Sequence, residues 1–213
     1  TFVHNKEIIK NNFFMFVHET INIRSNIGYQ ENIHKIINSK SFLDSASNCL
    51  GIITFSDICK DNIIDNLKQN NKSIPVLSIK HPVIFSDIKY FDIKNFIIND
   101  DTKIILLGSQ LRQYYNIYTL KTKKKKLFFP GTKIYINEKI KDIKTQLQQH
   151  NIEYDNNILQ YKYHDSFADY DNALISNIII IDLIDANANN SVTECIVRNL
   201  PFFINKIPAV IEY

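Results

Sequence analysis

The closing stretch of the chain, DANANNSVTECIVRN, combines side-chain types that can bind an anion and a diol. Asn187, Asn189 and Asn190 precede Ser191, where the pattern predicts the N-terminus of a helix. Free backbone N–H groups and the positive end of the helix dipole attract an anion at such a position. The apolar run NIIIIDLI just upstream predicts a buried strand. Strand, polar turn and helix N-terminus together predict an anion site at this turn.

Glu194 has two interpretations that the residues alone leave open. In the first, SVTE is a capping box, in which Ser191 caps the helix and the Glu194 carboxylate accepts a hydrogen bond from the Ser191 backbone N–H. In the second, Val192, Cys195 and Ile196 face the core and Glu194 points into a crevice. Its two carboxylate oxygens then accept the two hydroxyls of a ribose.

Other titratable residues follow or precede predicted elements. His18 and Glu19 come directly after the apolar run FFMFV, where they suit sugar binding or proton transfer, although a histidine bonded to the backbone fits equally well. Asp169 and Asp171 have the D-x-D spacing of some divalent-cation sites. Because they lead into an apolar helical pattern, a role in the first helical turn is favoured, and no metal site is predicted.

The elements that position these residues alternate along the chain. Strands are predicted in FFMFV, CLGIITFS, SIPVLSIKHP, TKIILLGS, NIIIIDLI and FFINK. Helices are predicted at residues 39–48, 57–70 with Ser56 as N-cap, 111–121, 138–151, 169–176 and 190–199. This alternation predicts an α/β fold with parallel sheets covered on both faces.

The stretch from residue 83 to residue 101 lacks clear periodicity, which predicts a domain junction. We expect one domain at residues 1–90 and a second at residues 91–213. Two parallel-sheet domains in tandem predict a cleft between them, with ligands at the carboxyl ends of the strands.

The composition narrows the possible functions. The 213 residues are 45% hydrophobic, enough to bury a core, and a net charge of +3 does not by itself indicate nucleic acid. The basic run KTKKKK, from Lys121 to Lys126, is typical of a solvated loop, so no nucleic-acid partner is expected. Three cysteines without CxxC spacing indicate the cytoplasm. An apolar run of about 18 residues, the length of a transmembrane segment, does not occur.

The stretch DANANNSVTECIVRNLPFFINKIPAVIEY resembles the closing motif of the donor domain of GT-B glycosyltransferases, with a family 4-like donor domain, especially those of large DNA viruses. Upstream, CLGIITFSDICKDNI is similar to the late acceptor domain, and KIILLGSQLRQYYNIYTL to the opening of the donor domain. The resemblance implies a GT-B-like fold of two Rossmann-like domains facing a central cleft. Residues 1–90 would form an incomplete acceptor-side domain, and residues 91–213 would bind the nucleotide sugar.

The resemblance also implies roles for individual residues. Glu194 would bind the nucleotide ribose, Arg112 the diphosphate, and Lys121 would assist Arg112. Asn189, Asn190 and Ser191 would meet the diphosphate at the helix N-terminus, and catalysis would fall to His18 and Glu19.

The implied activity is transfer of a sugar from a nucleotide-diphosphate sugar to an unidentified carbohydrate, protein or glycolipid acceptor. No metal or other cofactor is expected, because the resemblance is to a metal-independent class. Two alternatives stay open. One is a non-catalytic nucleotide-sugar-binding or assembly module with the same fold, and the other is a cation-dependent GT-A enzyme that uses Asp169 and Asp171.

Overall fold

A computed structural model describes residues 8–18, 20, 33–83, 87–130, 136–162 and 166–213. The chain divides into two compact units. Unit 1 comprises Thr1–Pro82, Asp185–Asn189 and Lys206–Tyr213, and unit 2 comprises Val83–Ile184 and Asn190–Asn205. The predicted division into 1–90 and 91–213 differs from these units, because two segments near the C-terminus pack with unit 1.

Unit 1 contains a parallel sheet in the order β1-β2-β3. Its strands are β1 (Phe13–Val17), β2 (Cys49–Thr54) and β3 (Val76–Ser78). Its helices are α1 (Ile33–Ile37), α2 (Lys40–Ser45), α3 (Asp57–Gln69) and the C-terminal α9 (Pro208–Ile211), with a 3₁₀ turn at Ala46–Asn48.

Helices α1 to α3 pack against one face of this sheet. The core includes Val17, Ile37, Phe42, Ile52, Ile63 and Leu67. On the other face, Phe14, Phe16 and Leu77 are 60%, 64% and 59% exposed. The prediction that both sheet faces are covered is therefore wrong for unit 1 as far as the described residues go, because β1 side chains alternate between core and exposed positions.

Unit 2 contains a five-stranded sheet in the order β6-β5-β4-β7-β8, in which every pairing is parallel. Its strands are β4 (Ile104–Leu107), β5 (Lys126–Phe129), β6 (Gln160–Tyr161), β7 (Ile178–Ile181) and β8 (Phe202–Ile204). Its helices are α4 (Ile93–Ile97), α5 (Tyr115–Thr119), α6 (Ile136–Gln148), α7 (Phe167–Ile175) and α8 (Asn190–Val197).

All side chains of β4 and β5 are buried, as expected for central strands of a parallel sheet. The apolar face of α6 carries the fully buried Ile143 and Leu147, which pack in one cluster with Phe128. These contacts confirm the predicted α/β fold and the amphipathic pattern of α6. None of the helices in the described ranges is long and apolar enough to cross a membrane.

The helix predicted at residues 111–121 is shorter in the structure, where α5 covers only Tyr115–Thr119. Leu111 has a left-handed backbone, with φ of 52°. The segment before α5 pairs instead with the chain after β7, because the Gln113 N–H donates to Asp182 O and the Ile184 N–H to Leu111 O, both at 2.8 Å. Helix α4 was not predicted, because its five residues are too few to show a helical period, and none of its side chains is buried.

Two side chains cap the N-terminus of α3, and one of them is Ser56, the predicted N-cap. Ser56 Oγ accepts a hydrogen bond from the Cys59 N–H at 3.2 Å, which confirms Ser56 as the N-cap. The Glu212 carboxylate, just after α9, accepts from the N–H groups of Asp57 and Ile58 at 2.6 and 2.9 Å. A carboxylate at this position also complements the helix dipole, so the C-terminal segment is fastened to unit 1.

We therefore expect Glu212→Ala to lower the free energy of unfolding by about 1 to 2 kcal/mol, because two N–H groups of α3 lose an acceptor. Urea denaturation followed by circular dichroism measures the change. Glu153→Ala, which removes an exposed carboxylate in unit 2, is the matched control. Equal unfolding midpoints for the two variants would contradict a capping role for Glu212.

Candidate functional site

The strand order of unit 2 locates a binding site at one edge of its sheet. The sheet order β6-β5-β4-β7-β8 corresponds to the third, second, first, fourth and fifth strands of this unit in chain order, so β4 is the first strand and β7 the fourth. The chain leaves these two neighbouring strands in opposite directions, so their carboxyl ends form the topological switch point where open parallel sheets bind ligands. The residues that follow β4 and β7 therefore define the candidate site.

Gly108 is the first residue after β4, and its backbone has φ of 85°. Its N–H donates to Phe129 O at 2.9 Å, at the end of β5. A Cβ on this residue would overlap the Arg112 guanidinium and lie 2.6 Å from Ser191 Oγ. Glycine is thus required twice, for its backbone conformation and for the space that Arg112 occupies.

Arg112 is buried beside Gly108, with only 4% of its surface exposed. Its Nε donates to Leu107 O at 2.7 Å, its Nη1 to Gln110 O at 2.6 Å and its Nη2 to Ser191 Oγ at 2.8 Å. Burial lowers the pKa of the guanidinium to about 10, while neighbouring Tyr114 and Asp182 raise it. The group is still protonated at neutral pH, so the site contains a buried positive charge.

The loop that carries Arg112 is held on both sides. Gln146 of α6 donates to Arg112 O and accepts from the Tyr114 N–H, both at 2.8 Å. The Asn116 side chain donates to the Asp182 carboxylate at 2.7 Å. Burial raises the pKa of the Asp182 carboxyl. The hydrogen bond from Asn116 and the charge of Arg112 lower this pKa and so oppose part of the effect of burial. These contacts fix the guanidinium at the end of β4.

Helix α8 begins at this same edge of the sheet. Asn190 is its first residue and is exposed, and Ser191 Oγ accepts the hydrogen bond from Arg112. The structure thus brings together Arg112, Asn190 and Ser191, with Glu194 one turn further along the same helix. Ser191 lies inside the helix, not before it, so the capping-box interpretation of SVTE is wrong.

The buried face of α8 differs in one position from the predicted one. Val192 and Cys195 are buried as predicted, but Ile196 is 42% exposed and Thr193 is buried in its place. The Glu194 side chain is 31% exposed, and its carboxylate accepts a hydrogen bond from Arg198 Nη1. Glu194 is therefore accessible and held by a cation at the end of its own helix.

Asp169 and Asp171 have separate structural roles. Ser166 caps α7, and the Asp169 carboxylate accepts a hydrogen bond from the Ser166 hydroxyl at 2.7 Å. Asp171 is buried and accepts from Arg198 Nη2 at 2.7 Å. Of the two carboxylates of the D-x-D sequence, that of Asp169 therefore binds the capping serine of α7, and that of Asp171 completes an ion pair. Within the described ranges, no three acidic, histidine or cysteine side chains are placed to share a metal ion.

The remaining predicted site residues lie elsewhere or outside the described ranges. Asn189 is buried and belongs to the segment that packs with unit 1. Lys121 is exposed in the loop between α5 and β5. Neighbouring Lys124 donates to Thr102 O at 3.2 Å, before β4 begins, so this loop lies at the amino-terminal edge of the sheet, opposite Arg112. The structure does not bring Lys121 to Arg112, and Glu19 lies outside the described residues.

His18 follows β1 in unit 1 and is exposed. Its ring centroid lies 5.6 Å from that of Phe55 and 6.0 Å from that of His81, residues that follow β2 and β3. Asn187, from the polar cluster before α8, is buried in unit 1, where it donates to Val17 O at 3.0 Å and accepts from Ser56 Oγ at 2.8 Å. Asn187 therefore has a structural role.

Two residues of this region, Asp182 and Arg198, were missed from the sequence, and Asp171 was considered only for a cation site or for the first turn of a helix. Both missed residues carried a signal. Asp182 interrupts an apolar strand at its carboxyl end, and Arg198 follows Glu194 with the i,i+4 spacing of a helical ion pair. The pairing of Asp171 with Arg198 carried none, because only the tertiary structure brings these two residues together.

Comparisons with known proteins give matches among solved structures. An α,α-trehalose-phosphate synthase (UDP-forming) from Burkholderia vietnamiensis is 8% identical, with a TM-score of 0.62 over 95% of this chain and 56% of the other. A trehalose-6-phosphate synthase studied with bisubstrate glycomimetics is 8% identical, with a TM-score of 0.57 over 95% and 55%. The N-terminal domain of Candida albicans trehalose-6-phosphate phosphatase is 11% identical, with a TM-score of 0.54 over 94% and 52%. No protein-family model and no curated protein matches the chain.

These matches concern the fold, since the identities are low. The two synthases are GT-B glycosyltransferases, so the likeness supports a GT-B glycosyltransferase type of α/β fold for this chain. The chain spans about half the length of the structures it matches. The resemblance to viral enzymes and the cleft between two domains stay predictions.

The packing around Gly108 gives a test of the site's architecture. We expect Gly108→Ala to lower the free energy of unfolding by at least about 2 kcal/mol, because the methyl group is strained at positive φ and displaces Arg112. Gly51→Ala is the matched control, since the nearest atoms to a Cβ there are ring atoms of the exposed Phe14 at 3.2 Å and 3.3 Å and Pro75 O at 3.6 Å. Similar urea midpoints for the two variants would contradict the account of the Gly108 turn.

Proposed function

We propose that the protein binds a nucleotide-diphosphate sugar at the carboxyl edge of the unit 2 sheet and transfers its sugar to an acceptor without a metal ion. The observation that carries the proposal is the buried Arg112 guanidinium at the switch point between β4 and β7. The proposal joins three features of this edge: a cation, a helix N-terminus and an accessible carboxylate.

The environment of Arg112 favours an anionic ligand. Burying a charge is costly unless an opposite charge or several hydrogen bonds compensate it. The three hydrogen bonds that the described residues give Arg112 all end on neutral oxygens. A guanidinium has five N–H groups, so two N–H groups beyond those three bonds can meet phosphate oxygens in the planar geometry that suits them.

Helix α8 supplies the second feature. Its first residues, Asn190 and Ser191, follow the turn after β7, and Ser191 is bonded to Arg112. The N–H groups of the first helical turn and the helix dipole favour negative charge at the same edge. Transfer of a sugar releases a nucleoside diphosphate, and fixed positive charge at this leaving group lowers the barrier to its departure.

Glu194 supplies the third feature. It lies one helical turn from Ser191, with 31% of its side chain exposed. A carboxylate at this distance from a diphosphate site accepts the hydroxyls of the adjoining ribose. The interpretation of Glu194 as a ribose ligand therefore suits the structure better than the capping box.

The structural neighbours suggest which nucleotide to test first. One is described as a UDP-forming synthase, and another is the subject of a study of glycosyl transfer with retention. By analogy, UDP is the first nucleotide to test with this chain. The acceptor stays unidentified, and His18, exposed at the end of β1, is proposed for acceptor binding or proton transfer.

We expect one nucleoside diphosphate among UDP, GDP and ADP to raise the melting temperature, because a ligand of the native state stabilises it. EDTA should leave the shift unchanged. Arg112→Lys should weaken this nucleotide's binding about 10- to 100-fold, since lysine keeps the charge but loses the fork. Isothermal titration calorimetry of each folded variant measures the dissociation constant.

Lys141→Met is the matched control, because it removes an exposed cation from α6 in the same unit. Equal affinity of Arg112→Lys and Lys141→Met for the nucleotide would contradict the proposed diphosphate site. Tight nucleotide binding without any sugar transfer would instead favour the non-catalytic binding module.

A further inference from the structure

We propose that Arg198 is a positioning residue that holds the Glu194 carboxylate in place for the nucleotide ribose, and that the buried Asp171 anchors Arg198 for this task. This inference rests on the proposed nucleotide-sugar site. It adds two residues from outside the diphosphate edge to the recognition of the ribose.

Arg198 divides its donors between two carboxylates. Its Nε and Nη2 donate to Asp171 Oδ1 at 3.1 and 2.7 Å. Its Nη1 donates to Glu194 Oε2 and also to the Glu194 backbone oxygen, the latter at 3.1 Å. One side of the planar guanidinium is thus fixed on α7, and the other side fixes Glu194.

The anchor itself is rigid. Arg198 and Asp171 are only 5% and 4% exposed, so solvent ions weaken the attraction between the two charges less than they would at the surface. The second oxygen of Asp171 accepts from the Lys89 N–H at 3.1 Å, and the Phe91 N–H donates to Arg198 O at 2.9 Å. Because both partners are held by backbone groups as well, the position of Arg198 is determined without Glu194.

The charges in this cluster leave Glu194 able to bind a ligand. One guanidinium faces two carboxylates, Asp171 and Glu194, so the three groups carry one net negative charge when all are ionised. Arg198 engages Oε2 of Glu194, which orients the carboxylate and leaves Oε1 for a ligand hydroxyl. An isolated exposed ion pair contributes little to stability, whereas an anchored one fixes a side chain for binding.

The test separates ribose recognition from diphosphate binding by means of three probes: UDP, 2′-deoxy-UDP and inorganic pyrophosphate. We expect the parent protein to bind UDP about tenfold more tightly than 2′-deoxy-UDP, because the deoxy form leaves a carboxylate oxygen unpaired. Arg198→Lys should reduce this preference to less than threefold, about the level of Glu194→Gln, while pyrophosphate affinity stays within about twofold of the parent value. A merely structural role would not change the UDP preference selectively.

Two further variants keep the test decisive. Asp171→Asn keeps the shape of the side chain and one acceptor oxygen but removes the negative charge that holds Arg198. It should therefore lower the preference for UDP over 2′-deoxy-UDP, and it tests the proposal even if Arg198→Lys fails to fold. Lys89→Met is the matched control, since it removes only an exposed side chain that bonds Asn172 and keeps the backbone N–H to Asp171.

An unchanged preference for UDP in folded Arg198→Lys and Asp171→Asn would overturn the positioning role. Failure of the parent protein to bind either UDP or pyrophosphate would overturn the proposed function and this inference with it. Parental binding of pyrophosphate with equal affinity for UDP and 2′-deoxy-UDP would leave the diphosphate site supported and contradict the role of Glu194 and Arg198.

Discussion

The buried positive charge of Arg112 constrains the sheet edge around it. Its guanidinium occupies the space beside Gly108 that any Cβ would fill, and it hydrogen-bonds to Ser191 in the first turn of α8. In the loop that carries this guanidinium, Leu111 has a left-handed backbone, and the chain pairs with the segment after β7 instead of forming a helix. The turns after two neighbouring strands are therefore built around one cation, whose three hydrogen bonds in the described residues all end on neutral oxygens.

An arginine fixes each end of helix α8. Arg112, in the loop after β4, donates a hydrogen bond to Ser191 near the start of the helix. Arg198, just past the end of the helix, donates to Asp171 of α7. Glu194 lies between these two fixed points. Such a helix presents its N–H groups and one carboxylate in a fixed relation, which is what recognition of a diphosphate and its adjoining ribose requires.

Much of the fold was predictable, because β4 and β7 of unit 2 are continuous apolar runs and Ser56 is a strong N-cap. Local patterns failed where tertiary contacts decide. The residues before α5 have helical spacing but pair with the chain after β7, and the five residues of α4 are too few to show a helical period. In the site, the juxtaposition of Arg112 and Ser191 was implied by a family resemblance. The ion pair between Asp171 of α7 and Arg198, which follows α8, is a tertiary contact that neither segment's sequence pattern predicts.

A crystal structure of the protein with UDP bound tests most directly whether Arg112 holds a diphosphate. We expect phosphate oxygens within about 3 Å of the Arg112 guanidinium and of the first N–H groups of α8, with the ribose hydroxyls at Glu194. UDP bound at another surface, with Arg112 contacting only Leu107, Gln110 and Ser191, would contradict the claim that this buried charge serves a diphosphate.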